Sequence, residues 1–319
     1  MTGRAPTGGQ NIELGPGREF DIVRTLLAEW GNAAQRIGDD AAIIEVPPGE
    51  RLVVTTDTSV EGIHFRREWL NSFEIGYRAT AAALSDLAAM AARPLGILIA
   101  LTLPEGDREE AREIAVGIRE GASAVLCPIV GGDLSSGKSL SLTITALGAA
   151  ARPLTRSGAR VGQRVYVTGK LGGPAAAVRA WRAGRKPTDA ERSRFACPVP
   201  RIDAAIALSE RGASSGIDIS DGLAADLAHI AAASKVGIEL DAERIPRFDG
   251  VSAAEAAGSG EEYEVVVTAP EIDTRQFVEE LGLDLTEIGR VVAGPAGVIV
   301  VEGGRRIDLP RGFDHFRDK

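Results

Sequence analysis

Apolar residues recur at helical spacing over residues 19–30, at Phe20, Val23, Leu26, Leu27 and Trp30, and predict a helix there. Residues 41–46 and 51–56 read as strands. The Ala-rich stretch 73–92 reads as a long helix carrying Asp86, and 96–104 as a strand stopped by Pro104. Residues 107–124, rich in Glu and Arg, form a further helix. Strands over 125–130 and 140–147 flank a Gly-rich loop. The polar segment 149–162, with its Gly and Pro, then interrupts the pattern. Alternation resumes with a strand at 164–169, helices at 174–184 and 200–211, a strand at 216–220, a helix at 222–234, and strands at 236–240 and 263–270. Residues 184–200 read as an exposed excursion. Strand and helix alternate in both halves without a short-period repeat. The expected class is α+β or α/β in two domains, 19–150 and 151–319, behind a mobile tail at 1–18.

Composition narrows the possible functions. A chain of 319 residues fits two domains of about 150 residues each. Hydrophobic residues are 44% and aromatics only 4%, so small and aliphatic side chains must fill the core. The net charge of −9 argues against nucleic acid or an anionic membrane as partner. An anionic substrate would then need local cations. Cys127 and Cys197 show neither disulfide nor metal spacing, which fits a reducing cytoplasm. The N-terminus lacks the apolar core of a secretory signal. No apolar run reaches the ~18 residues of a spanning helix.

The chemistry lies in a set of aspartates, each inside a short Gly-, Ser- or Thr-rich motif. They are Asp40 in IGDDAA, Asp57 in VVTTDTSVEGIHF, Asp86 in LSDLAAM, Asp133 in IVGGDLSSG, and Asp218 and Asp221 in IDISDGL. Carboxylates beside apolar runs are costly to bury unless a cation joins them. Hard oxygen ligands without a Cys or His cluster favour Mg²⁺, which completes its shell with water and phosphate. The chain therefore reads first as an enzyme that handles a nucleoside triphosphate through metal ions.

Residues 132–139, GDLSSGKS, match the P-loop pattern letter for letter. A P-loop must follow a strand and open a helix. Here Leu140, Leu142, Ile144 and Ala146 alternate with Ser141, Thr143 and Thr145, which is strand periodicity. The segment reads as a hairpin loop with Asp133 at its start, and Lys138 as dispensable.

Taken together, IGDDAAII, VVTTDTSVEGIHF, LSDLAAMAARP, GGDLSSG, RPLTRSGARVGQRVYVTG, PVPRI, IDISDGLAADLAHI, SGEEYEV and GFDHF resemble thiamine-monophosphate kinases, within the aminoimidazole ribonucleotide synthetase superfamily. The resemblance runs from about residue 19 to 316 and implies an N-terminal α+β domain whose sheet pairs with that of a second subunit, and a C-terminal α/β domain. It implies ATP and several Mg²⁺ ions held between them in a homodimer. By the same resemblance, Asp40, Thr55, Thr56, Asp57, Asp86, Asp133, Asp218 and Asp221 form the metal shell. Gly132, Asp133, Arg156 and Ser220 meet ATP, and His64, Glu261 and Phe313 line the thiamine monophosphate pocket. No residue serves as a general base. The chain departs from the family's Gly-Gly-Glu-Asp-Tyr-Glu-Leu at Ser259, Glu262 and Val265, and carries Ala91 where the family tends to have glycine.

Each motif also has a plainer reading. Asp39, Asp40, Asp218 and Asp221 are residue types that cap helices and make turns. Thr55 and Thr56 are ordinary strand residues, His64 and His229 could be structural, His315, Phe313 and Phe316 could pack the tail, and Arg156 could be a surface ion pair. Two other functions stand beside the kinase: an ATP-using enzyme of the superfamily with a different acceptor, and a non-catalytic binder of nucleotide or thiamine phosphate. Residues 1–126 lack the Cys expected of a selenophosphate synthetase, and the chain ends FDHFRDK, without a hydrogenase-maturation relative's Cys-bearing tail.

Overall fold

A computed structural model describes residues 17–35, 37–104 and 107–307. The expected tail lies outside these apart from residues 17 and 18, and Phe313, Phe316 and His315 lie outside them as well. The described residues fall into two compact units: residues up to 87 with 94–151, and residues 88–93 with those from 152 onward.

The first unit contains α1 (Arg18–Trp30), β1 (Arg51–Val60), α2 (Ser72–Ala89), β2 (Arg93–Leu103), α3 (Arg108–Ser123), β3 (Ile129–Ser136) and β4 (Ser141–Ala150). Its sheet has the order β1-β4-β2-β3. Period-2 alternation gives the sheet a buried face, with Ile97, Ile99 and Leu101 on β2 and Leu142 and Ile144 on β4. Helix α3 turns Ile114, Ile118 and its Ala and Gly residues inward and its Arg and Glu residues outward, and the Asp107 carboxylate caps it by accepting from the Glu109 amide at 2.8 Å. Small residues let α2 and α3 meet backbone to backbone. A Cβ on Gly76 would lie 2.3 Å from the Ile114 carbonyl oxygen, and one on Gly117 would lie 2.0 Å from that of Phe73.

Two readings of this unit need correction. Residues 41–46 alternate in exposure as a strand would, yet no strand among the described residues pairs with them, and Ile43 is left exposed. The Gly-rich segment is not a hairpin, because β2 lies between β3 and β4. Asp133 sits within β3, which runs parallel to β2, and β4 pairs with β1 instead. The strand after the Gly-Lys-Ser stretch is present, so a P-loop's helix is missing.

The second unit contains β5 (Arg164–Thr168), α4 (Gly173–Arg182), α5 (Asp189–Ala196), α6 (Ile202–Glu210), β6 (Ser215–Asp218), α7 (Leu223–Ser234), β7 (Gly237–Asp241), α8 (Ala253–Ala257), β8 (Val265–Ala269), α9 (Thr274–Leu281), β9 (Leu285–Val292), β10 (Gly297–Glu302) and β11 (Arg305–Ile307). The sheet order is β11-β10-β7-β9-β5-β8-β6. Leu223, Leu227 and Ile230, one helical face of α7, pack with Val167, Ile217, Ile238 and Val266 of the sheet. The stretch 184–200 is no simple excursion. Thr188 and Glu191 form a capping box that starts α5, and Phe195 is buried edge-on against Trp181, with ring centroids 5.2 Å apart. A Thr-x-x-Glu signal marked this helix in the sequence.

Candidate functional site

The first unit distributes its aspartates over both faces of its sheet. On the helical face, the Thr55 hydroxyl donates to Asp86 Oδ2 at 2.5 Å, joining β1 to α2. Asp57 shares that face by alternation and accepts from the Thr58 amide at 2.8 Å. Thr56 points to the opposite, open face, where its hydroxyl bonds to Thr145 at 3.1 Å.

Asp133 reaches the open face through an irregularity. Ile97 pairs with Ile129, but Leu98 pairs with Gly131, so one extra residue on β3 shifts the register. Without that bulge Asp133 would share the buried face of Ile129. With it, Asp133 lies opposite Ala100, in the open. Gly132 is required by the sheet itself, since a Cβ there would lie 2.1 Å from the Ile99 carbonyl oxygen. The Gln35 amide donates to the Ile129 carbonyl at 2.8 Å and leads the chain toward the same face. A cavity of about 340 Å³ results, lined by Asp39, Asp40, Gly132, Asp133, Thr143 and Thr145. His64 folds back at the end of β1, where its Nδ1 accepts from the Val60 amide at 3.1 Å.

The second unit gathers its candidates around one turn. Asp218 ends β6 and is 6% exposed. Ser220 and Asp221 follow in the turn that opens α7, where helix N–H groups favour anions. No residue before the helix caps it. Asp226, one turn in, does so instead: its Oδ2 accepts from the amides of Ser220, Asp221 and Gly222 at 3.0, 3.1 and 3.0 Å. Burial, reinforced by the charge of Asp221, pushes the Asp226 carboxyl up to about 7. Glu261 joins the group because its amide donates to the Ser220 carbonyl at 2.7 Å. The Tyr263 hydroxyl donates to Glu261 Oε2 at 2.8 Å. Arg156 is exposed on a loop placed beside β6 by a 3.1 Å bond from the Gly216 amide to the Thr155 carbonyl.

Sequence reasoning passed over Asp226, and it singled out Glu262 only as a departure from the family pattern, not as a buried carboxylate. Both lie inside quoted motifs, four residues after Gly222 and beside Glu261, and neither spacing reveals that the carboxylate turns inward.

Comparison with known proteins identifies the family. Family models match both halves of the chain: AIR synthase related protein, N-terminal domain, over residues 38–150, and AIR synthase related protein, C-terminal domain, over residues 160–302. The thiamine-monophosphate kinase of Escherichia coli (strain K12) is 35% identical, over 94% of this chain and 96% of its own. The chain belongs to the thiamine-monophosphate kinase family. The fold agrees: the crystal structure of thiamine-monophosphate kinase from Stenotrophomonas maltophilia K279a aligns with a TM-score of 0.79 and 35% identity, over 90% of this chain and 96% of that one. AaThiL complexed with AMPPCP and TMP aligns with a TM-score of 0.75 and 30% identity, over 93% and 96% of the two chains. Family membership and the two sheets establish the mixed α/β, AIR synthase-like fold. Among the described residues, no helix is long and apolar enough to cross a membrane.

Proposed function

We propose that this chain transfers the γ-phosphoryl group of ATP to thiamine monophosphate, giving thiamine diphosphate and ADP, as a cytoplasmic homodimer. The supporting observation is the likeness to thiamine-monophosphate kinases over 94% of the chain, joined by the shared fold of AaThiL complexed with AMPPCP and TMP. The dimer draws support from β1, an edge strand that leaves Leu52 and Val54 exposed at 48% and 56%.

The donor set suits Mg²⁺. Among the described residues, no three His, Cys, Asp or Glu side chains converge to hold a metal unaided. Mg²⁺ does not need such a cage, since one or two carboxylates, substrate phosphates and water suffice. Asp40 and Asp133 at the open cavity, Thr55, Asp57 and Asp86 on the helical face, Thr56 on β1, and Asp218 and Asp221 at the α7 turn would hold the ions. When bound, they would offset the charge on the phosphates.

The remaining work is positioning. Arg156 offers a planar guanidinium for phosphate, Ser220 a hydroxyl at a helix start, and Gly132 polar backbone at a strand edge. His64, Glu261 and Phe313 are assigned to the acceptor, with Glu261 facing the cationic thiazolium. The nucleophile is a phosphate oxygen, already anionic at neutral pH, so no general base is required. Purified protein with ATP, Mg²⁺ and thiamine monophosphate should form thiamine diphosphate and ADP in equal amounts on chromatography, and Asp133→Asn should not. ADP without thiamine diphosphate would point to a different acceptor; neither product would point to a binding protein.

A further inference from the structure

We propose that Arg194 and Glu262 are positioning residues for the acceptor, clamping from behind the strained loop that carries Glu261; this rests on the thiamine monophosphate reading above. The loop has an unusual backbone. Glu261 and Tyr263 both adopt left-handed conformations, with φ of 63° and 53°. L-residues pay for such conformations, and surrounding contacts must hold them. Between the two, Glu262 turns inward and is 0% exposed. Its Oε1 accepts from the Gly172 amide at 2.5 Å, and its carboxylate also accepts from Ser259. Arg194 Nη2 donates to the Glu262 carbonyl at 2.8 Å and lies 3.5 Å from its Oε2.

The same arginine reaches Glu264 at 2.9 Å. Glu264, 1% exposed, is gripped by two Arg201 nitrogens at 2.8 and 2.7 Å and by the Thr168 hydroxyl at 2.6 Å. On its other side the loop is bound to the Ser220 turn, since the amides of Glu262 and Tyr263 both donate to the Ile219 carbonyl, at 3.0 and 2.9 Å. The outcome of these bonds is a fixed Glu261 carboxylate, oriented by Tyr263. Buried ion pairs are a poor way to gain stability compared with apolar packing. A cluster of two arginines and two glutamates behind two strained residues is better explained by the geometry it imposes. Ser259 and Glu262, two of the departures from the family pattern, belong to one hydrogen-bonded unit, so the longer carboxylate comes with its own added donor.

The test is steady-state kinetics of the full chain with Arg194→Met, Arg194→Lys, Glu262→Gln and Ser259→Ala, varying thiamine monophosphate and ATP separately, alongside thermal melting. In Arg194→Met and Glu262→Gln the KM for thiamine monophosphate should rise about tenfold, with the KM for ATP and kcat nearly unchanged. Arg194→Lys should recover part of the loss, and Ser259→Ala, which deletes a single donor, should shift the same KM less. A folded Arg194→Met with wild-type KM for thiamine monophosphate, or with both KM values raised equally, overturns the clamp. So does a Ser259→Ala variant that cannot fold, since the cluster would then serve folding alone. A wild-type chain that makes no thiamine diphosphate overturns the functional reading, and the inference with it, before any variant is compared.

Discussion

Thr55 on β1 donates a 2.5 Å hydrogen bond to Asp86 on α2, fixing a half-buried carboxylate from the strand side. If Asp86 serves the metal shell, Asp86→Asn should lower turnover on the order of 10²-fold, because charge compensation is the main catalytic contribution. Thr55→Val, which removes the orienting donor together with a proposed metal ligand, should cost about tenfold or more. Product formation at saturating ATP and Mg²⁺ reads both, and a Thr55→Val enzyme at the wild-type rate would show that this bond orients nothing needed.

Asp57 and Asp133 lie on opposite faces of one sheet, and both are proposed metal ligands. Asp57→Asn and Asp133→Asn should each reduce turnover by on the order of 10²-fold or more. Asp133 is exposed, so melting of Asp133→Asn should match wild type while activity is lost. Lys138→Ala should retain most activity in the same assay, since the stretch that mimics a P-loop opens no helix. A dead Lys138→Ala enzyme would reverse that reading.

Ala91 has φ of 50°, in the left-handed region. Glycine is free of the Cβ clash there, at some cost in chain entropy. Ala91→Gly should therefore stabilise the fold by about 0.5–1 kcal/mol, read as a higher urea midpoint at unchanged slope. Ala91→Val should lower it.

Three amides depend on the Asp226 carboxylate. Asp226→Ala leaves them without a partner at the start of α7 and should destabilise the protein by roughly 2–4 kcal/mol. Asp226→Asn keeps an acceptor oxygen and should cost less. Equal melting temperatures for the two variants would contradict this.

Burial pushes the Glu262 carboxyl from 4.5 up to about 7, against the pull of Arg194. A folded state that holds a proton more tightly than the unfolded chain is favoured where that proton is bound. The contribution is therefore full below the unfolded value and is lost as pH rises through about 7. Glu262→Gln should flatten the decline in melting temperature between about pH 5 and 8; an unchanged slope would remove Glu262 as a source of it.

Much of the fold could be read from periodicity. The apolar spacing of α1 and the alternation of β4 matched the structure within a few residues, because each needs only local pattern and one buried face. What stayed hidden was non-local. No local pattern tells β3 to pair with β2 rather than β4, or places the bulge that turns Asp133 outward. The stretch 41–46 has the alternation of a strand and lacks a partner strand among the described residues. Arg194 looked like a surface charge in a polar stretch, and its role emerges only when α5 packs beneath the strained loop. The acidic motifs were legible, while the residues that hold them in place were not.

The backbone contact of α2 and α3 ties the chemistry to a distant point. Gly76 precedes Asp86 by ten residues on the same helix, about 15 Å at the α-helical rise. With no space for a side chain at Gly76 or Gly117, even a methyl group there must push the helices apart and carry the Asp86 carboxylate with them. The helix pair works as a lever whose pivot admits no added bulk, so, with Asp86 in its proposed metal role, a mutation at that pivot would throttle the enzyme without touching a single ligand.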